Sequence, residues 1–303
     1  MAKLNVEICG VKLKNPVIAA SGTFGFGREY NKVYDISVLG GVSTKGMTLE
    51  ARSGNPVPRI AEGRSVILNA VGLQNPGVGH FIKHDLEFLK NKGIAVVANV
   101  AGKTLDEYGE ICARLDGLVD FVELNISCPN VKAGGMVFGI KPESIKEVTR
   151  VSKNSLKKTP LMVKLSPNVE SIPVNAQAAQ SGGADCISLI NTLTGMAIDL
   201  DAKKPVIANN TGGVSGMGIK PVALRMVYEA AHAVDIPVIG MGGIASGTDA
   251  LEFMLAGASA VQVGTANFTD ANAMPRIIRE MNDWLDSRKI KDVNEIINTL
   301  ELN

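Results

Sequence analysis

The chain has 303 residues, with 31 Lys+Arg against 30 Asp+Glu, three histidines, four cysteines and a single tryptophan. A formal charge of +1 removes the case for a nucleic-acid or anionic-membrane footprint, and the scarce aromatics argue against base-stacking platforms. Cys9, Cys112, Cys128 and Cys186 form no C-x-x-C pair for a zinc knuckle or iron-sulfur cluster, and no apolar run approaches the ~18 residues of a bilayer span, so a cytoplasmic protein with reduced thiols is expected.

Along the chain, a short ribbon from about Leu4 to Leu13 precedes an alternation of apolar runs and amphipathic stretches, the pattern of βα units around a parallel sheet. Strands are expected over Val17 to Ala20, Gly41 to Lys45, Ala95 to Val100, Phe121 to Ile126, Leu161 to Leu165, Cys186 to Ile190, Pro237 to Gly240 and Ala260 to Val263. Helices are expected over Gly79 to Asn91, Leu105 to Leu115, Pro142 to Ser155, Val174 to Ser181, Pro221 to Ala233, Thr248 to Ala256 and Ala273 to Asp286, several ending in glycine. Eight strands with intervening helices describe an α/β protein of the TIM (β/α)8 barrel class. The remaining length falls in the ribbon, a hairpin near Arg59 to Leu73, a glycine-rich loop from Thr192 to Gly218 and a last helix near Val293 to Leu300. No linker-like segment interrupts the pattern, so one domain over residues 1–303 is expected.

In such barrels ligands meet the carboxyl ends of the strands. Those ends supply Ser21, Lys45 with Gly46, Asn99, Asn125 with Cys128 and Asn130, Lys164, Asn191 with Thr192, Gly242 with Gly243, and Gly264 with Thr265; Asn69 in the hairpin is expected to join them. The set is rich in carboxamides and poor in carboxylates, which suits a flat ring bearing alternating C=O and N–H groups. Pro129 ends the fourth strand, leaving Cys128 at its edge as a candidate base or nucleophile. Side chains alternate along a strand, so Glu123 and Asn125 should share the inner face, with Lys164 on the next strand as the partner of the buried carboxylate.

The glycine-containing loops Gly240-Met241-Gly242-Gly243-Ile244 and Val263-Gly264-Thr265-Ala266 fall after strands seven and eight, where these barrels bind phosphate through backbone N–H groups and a helix N-terminus. His80, His84 and His232 fall in helix-like stretches; His80 and His84 stand four apart, but no third ligand is evident and no metal is expected. Cys128 is then the best available base. The segment Val131 to Gly139, with Gly134 and Gly135, has the composition of a hinged loop that closes over a substrate.

Several of these stretches resemble the dihydroorotate dehydrogenase family, the flavin enzymes of pyrimidine biosynthesis: residues Ala20 to Gly27, Ser43-Thr44-Lys45-Gly46, Asn69 to Gly77, Asn125 to Lys132, Asn191-Thr192 and Gly242-Gly243. The resemblance runs over nearly the whole chain and is nearest to the catalytic subunit of class 1B, whose members pair with an electron-transfer subunit carrying FAD and a 2Fe-2S cluster and pass electrons to NAD. It implies one FMN, held by Ser21, Lys45, Gly46, Asn99, Asn125, Lys164, Ile190, Gly216, Gly242, Gly243, Gly264 and Thr265. The pyrimidine would meet Lys45, Asn69, Ala70, Val71, Gly72, Leu73, Asn125, Asn130, Asn191 and Thr192. It further implies that Cys128 takes a proton from C5 of (S)-dihydroorotate while hydride passes from C6 to flavin N5, giving orotate, within a heterotetramer of two catalytic and two electron-transfer chains. The alternatives are a homodimeric class 1A enzyme that reduces fumarate, a dihydropyrimidine dehydrogenase-like barrel, and a non-redox barrel that binds a phosphorylated ligand.

Overall fold

The computed structural model describes residues 1–126 and 138–303. Eight parallel strands follow one another in chain order and close into a barrel: β1 (Val17–Ala19), β2 (Gly41–Ser43), β3 (Ala95–Val100), β4 (Phe121–Asn125), β5 (Leu161–Lys164), β6 (Cys186–Leu189), β7 (Val238–Met241) and β8 (Ala260–Val263). All eight lie where the apolar runs predict them. Residues such as Lys45, Ile126 and Ile190 stand one or two positions past the last ladder pair, at the carboxyl rim.

Apolar side chains on the outer face of these strands, including Val42, Val96, Val122, Leu124, Val163 and Ile187, are almost completely buried beneath the helices. Each contributes roughly 1.5–3 kcal/mol by leaving water. The helices are built to cover them. In Leu105–Leu115 the buried positions Tyr108, Ile111, Cys112 and Leu115 recur at helical spacing, and Thr104 caps the first turn by accepting from Glu107 N at 3.2 Å. In Ala273–Ser287 the buried stripe is Met274, Ile277, Met281 and Leu285.

The amino-terminal ribbon pairs Val6–Ile8 with Val11–Leu13 in antiparallel register. Its turn closes the barrel's amino end, where Cys9 Sγ donates to the Asp185 carbonyl at 3.2 Å just ahead of β6. At the other end, the expected hairpin is present as Ile60–Gly63 and Val66–Asn69.

Three expectations need correction, and one element was not expected. The stretch from Thr192 to Gly218 is not a plain loop: Leu193–Gly195 and Gly212–Ser215 pair with each other and with Val66–Asn69 in a four-stranded sheet at the mouth, and Ile198–Asp199 pairs with Lys204–Pro205. The helix drawn over Gly79 to Asn91 is two, Val78–His84 and Leu86–Lys90, divided at Asp85, whose carboxylate takes Arg28 Nε at 2.8 Å. The last helix shrinks to one 3-10 turn, Val293–Ile296, held by a capping box between Asp292 and Glu295. A short helix not read from the pattern, Ala266–Thr269, follows β8.

Candidate active site

The barrel interior at the mouth end is polar, and it is organised around one carboxylate. Glu123 on β4 is fully buried and faces inward, as strand alternation predicts. Its Oε2 accepts from Ser43 Oγ at 2.7 Å and Asn99 Nδ2 at 2.6 Å; its Oε1 accepts from Ser188 Oγ at 2.7 Å and Gln262 Nε2 at 2.8 Å. Burial by itself would push this carboxyl up, but the Lys164 charge and the hydrogen bonds from Ser188, Asn99 and Ser43 outweigh it and hold Glu123 below the ordinary carboxylate range. The expected Glu123–Lys164 pair is therefore present as an electrostatic interaction. Among the described residues it is not a direct ion pair, because four neutral donors already occupy the carboxylate oxygens.

Ser43, Glu123, Ser188 and Gln262 come from β2, β4, β6 and β8. Barrel interiors stack in layers of four side chains from alternate strands, ordinarily bulky and apolar. Here one layer is entirely polar. Sequence reasoning located Glu123 but missed Ser188 and Gln262; the available signal was a lone polar residue inside the apolar strands Cys186–Leu189 and Ala260–Val263.

Above this layer the carboxamides are joined edge to edge. Asn125 Nδ2 donates to Asn99 Oδ1 at 3.5 Å, Asn191 Nδ2 to Asn125 Oδ1 at 3.2 Å, and Thr192 N to Asn191 Oδ1 at 2.8 Å. Tyr108 Oη donates to the Asn125 carbonyl at 3.0 Å, fixing the strand end. Gly46 belongs to the same cluster, since a Cβ there would stand 2.8 Å from Asn99 Oδ1 and 3.2 Å from a Leu73 methyl. Asn69 Nδ2 donates to the Gly213 carbonyl at 3.3 Å, and a Cβ on Gly213 would run into Thr192. Two of the expected pyrimidine contacts, Asn69 and Thr192, thus converge on one strand of the mouth sheet.

The stretch Ala70 to Leu73 is shaped by Asn55, which the sequence reading did not single out, and by Asn75 within the Asn69 to Gly77 motif. Asn55 Nδ2 donates to the Ala70 carbonyl at 2.9 Å and Asn55 N to the Val71 carbonyl at 2.9 Å; Asn75 Nδ2 donates to the Leu73 carbonyl at 2.7 Å. Gly72 and Leu73 both hold positive φ, +75° and +57°. Lys45 is half-buried and its backbone N donates to the Gly25 carbonyl at 2.9 Å; Lys164 is 5% exposed at the end of β5. Ser21 follows β1, partly exposed at the rim.

The opposite side of the mouth is backbone. Gly242 and Gly243 after β7 have φ of +125° and +79°, and a Cβ on Gly243 would lie 2.7 Å from Lys220 Cβ. Gly264 and Thr265 follow β8, ahead of the short helix Ala266–Thr269. Among the described residues no turn or loop carbonyl accepts from the backbone N–H groups of Gly242, Gly243, Gly264 or Thr265. Thr265 Oγ1 donates to Ser215 Oγ at 2.8 Å, which ties the β8 rim to the strand ending beside Gly216. Ile190 is buried against this side, with its N donating to Met241 O at 3.0 Å. A buried cation, ring-facing amides and a glycine-lined set of N–H groups fit a flavin mononucleotide in kind: a ring on one side, a phosphate on the other. Cys128 and Asn130 lie outside the described residues, as do residues 131–137 of the hinged loop expected over Val131 to Gly139.

No helix among the described residues is long and apolar enough to cross a membrane. The family model for dihydroorotate dehydrogenase matches residues 3–285. The chain is 54% identical over 301 residues to a protein of Citrifermentans bemidjiense named dihydroorotate dehydrogenase B (NAD(+)), catalytic subunit, covering 99% of this chain and 98% of the relative. Proteins with the same name from Alkaliphilus oremlandii and Thermoanaerobacter pseudethanolicus are 54% and 52% identical, with 98% of both chains covered in the first case and 99% in the second. With the barrel, the mouth geometry and these full-length matches in agreement, the chain belongs to the dihydroorotate dehydrogenase family.

Proposed function

We propose that this chain, as one barrel domain over residues 1–303, oxidises (S)-dihydroorotate to orotate in pyrimidine biosynthesis with one bound FMN. The observation that carries the proposal is the pairing of full-length similarity to relatives named as NAD-linked catalytic subunits with a mouth that is amide-lined on one side and glycine-lined on the other.

Ser21, Lys45, Gly46, Asn99, Asn125, Lys164, Ile190, Gly216, Gly242, Gly243, Gly264 and Thr265 would hold the FMN. When bound, this cofactor supplies a two-electron acceptor for hydride from the substrate's C6. Lys164, buried on β5, would supply a fixed positive charge to offset negative charge on the reduced cofactor. The N–H groups of Gly242, Gly243, Gly264 and Thr265 would hold its phosphate, since backbone donors bind an anion without bringing in a mobile side chain. On the substrate side, Lys45, Asn69, Ala70, Val71, Gly72, Leu73, Asn125, Asn130, Asn191 and Thr192 orient the pyrimidine, their donors and acceptors matching its ring edge. Cys128 takes the proton from C5 as general base.

Electrons leave through a separate subunit. The relatives' names include the words "catalytic subunit", which supports a partner; we assign it FAD and a 2Fe-2S cluster, NAD as final acceptor, a heterotetrameric assembly and a cytoplasmic setting.

The test is optical. Purified protein is expected to be yellow and to bleach when mixed anaerobically with dihydroorotate. A colourless preparation that cannot be reconstituted with FMN would favour a non-redox phosphate-binding barrel. Copurification with an FAD and iron-sulfur subunit tests the route to NAD, and fumarate reduction by the isolated chain would point to class 1A instead.

A further inference from the structure

The amide chain at the mouth has a direction, and Glu123 sets it. An ionised carboxylate offers only lone pairs, so the Asn99 atom 2.6 Å from Glu123 Oε2 must be the NH2 group. Asn99 Oδ1 then points toward the mouth, where it can only accept, and Asn125 turns its own NH2 to it. The same constraint arrives from the other end: Thr192 N–H, a donor, fixes Asn191 Oδ1 as acceptor and leaves Asn191 Nδ2 to donate to Asn125 Oδ1. Three carboxamides, each able in isolation to flip, are locked between a fixed acceptor below and a fixed donor above.

Gln262 shows how strongly the carboxylate dominates its surroundings. It delivers Nε2 to Glu123 Oε1 at 2.8 Å while its own Oε1 is buried with no donor among the described residues. Leaving an amide oxygen unmade in the interior is unfavourable, and a charge-assisted hydrogen bond to a buried anion offsets that cost.

We propose that Glu123 is a positioning residue for the site: its carboxylate fixes which edge of Asn99, and through it of Asn125 and Asn191, is presented to the bound rings, and it balances the Lys164 charge. The inference rests on the reading of the site as an FMN and pyrimidine pocket. It assigns Glu123 no contact with either ligand. A glutamine here would present an NH2 to a shell of donors, so at least one partner must reverse, and reversal at Asn99 turns its donor where Asn125 also donates.

The test compares FMN-loaded wild type, Glu123→Gln and the swap Glu123→Gln/Gln262→Glu. In the swap, the introduced glutamine's NH2 can donate to the introduced carboxylate on β8, and its oxygen still accepts from Ser43 and Asn99, so the polarity above it is kept. Readouts are the FMN dissociation constant from flavin fluorescence on release, the Km for dihydroorotate against kcat, and the melting temperature. The expected result is FMN affinity at least tenfold weaker in Glu123→Gln and within threefold of wild type in the swap, with Km following the same order. Wild-type FMN affinity and Km in the single variant would overturn the proposal. So would a swap more than threefold weaker than wild type, which decides the matter even where the single variant does not fold. Equal losses in both variants that follow the melting temperature alone would make Glu123 a merely structural residue and likewise overturn it. A wild-type protein that binds no FMN would instead refute the functional reading on which the inference rests.

Discussion

The two sides of the barrel mouth are built by different means. From β2 to β6 the rim is side chain: Lys45, Asn99, Asn125, Lys164, Asn191 and Thr192, several of them joined through hydrogen bonds that lead down to Glu123. From β7 to β8 it is backbone: Gly242, Gly243, Gly264 and Thr265, shaped by positive φ and close approach. A carboxamide rim can discriminate a ring edge but must be oriented by a network, because an amide is nearly symmetric in shape and opposite in polarity at its two ends. A glycine rim needs no orienting partner, yet it tolerates no Cβ.

The comparison can be broken or sharpened by variants on each side. The largest effect is expected at the proposed base: Cys128→Ala should lower turnover by about 10²–10⁴-fold, the usual share of a general base, while FMN stays bound. A near-normal rate would remove the assignment. Because a free thiol titrates at about 8.5 and must lose its proton to act, wild-type turnover should rise with pH toward that value, and a flat profile from about pH 6 to 9 would contradict it.

Next comes Lys164→Met, on the side-chain half of the mouth. Loss of a buried cation at a charged ring site should weaken FMN binding or slow flavin reduction by roughly 10–100-fold, the range of a lost charge-assisted hydrogen bond. Stopped-flow reduction and flavin fluorescence read the two effects separately. On the backbone half, Gly243→Ala adds a Cβ 2.7 Å from Lys220 Cβ at a φ of +79° and costs about 1–2 kcal/mol in backbone conformation alone. It should weaken FMN roughly tenfold yet leave Km for dihydroorotate unchanged in the loaded enzyme. A change in Km with no change in FMN affinity would erase the division between the halves.

The smallest effect is at Asp249, which supports the β7 loop. Its Oδ2 accepts from Ala245 N and Ser246 N, both at 2.9 Å, and its Oδ1 takes Lys220 Nζ at 2.5 Å. Partial burial would raise its pKa, but Lys220 and the loop N–H groups lower it further, so the net shift is downward. A depressed folded-state value means stability that is present above the ordinary carboxylate value of about 3.9 and is lost as pH falls through the folded one. Asp249→Asn should cost about 1 kcal/mol at neutral pH, with the gap to wild type closing below pH ~3.9. A gap that persists at about pH 2 would show that the carboxylate's charge is not what stabilises the loop.

Much of the fold was legible because burial leaves a period. The outer faces of the strands and the stripes of Leu105–Leu115 and Ala273–Ser287 are apolar at the spacing their geometry demands. What was not legible depends on partners distant in the chain. Gly212–Ser215 has no alternating pattern of its own and becomes a strand by pairing with Val66–Asn69, the contact of Asn69 with Gly213 spanning 144 residues. The break at Asp85 likewise reflects Arg28, which reaches it from the connection between β1 and β2.

In the site, the residues at the strand ends were readable one at a time from their position after an apolar run, and the resemblance of their motifs gave them expected roles. The sequence by itself determined the order of eight strands, the carboxamides and glycines at their ends, and the inward face of Glu123, because alternation along a strand is local geometry. Only the tertiary structure decided that Ser43, Ser188 and Gln262, separated from Glu123 by 80, 65 and 139 residues, would share its layer and leave Lys164 to act from a distance. The physical reason is that barrel closure sets which positions of alternate strands stand level, and that stagger is written in no single strand.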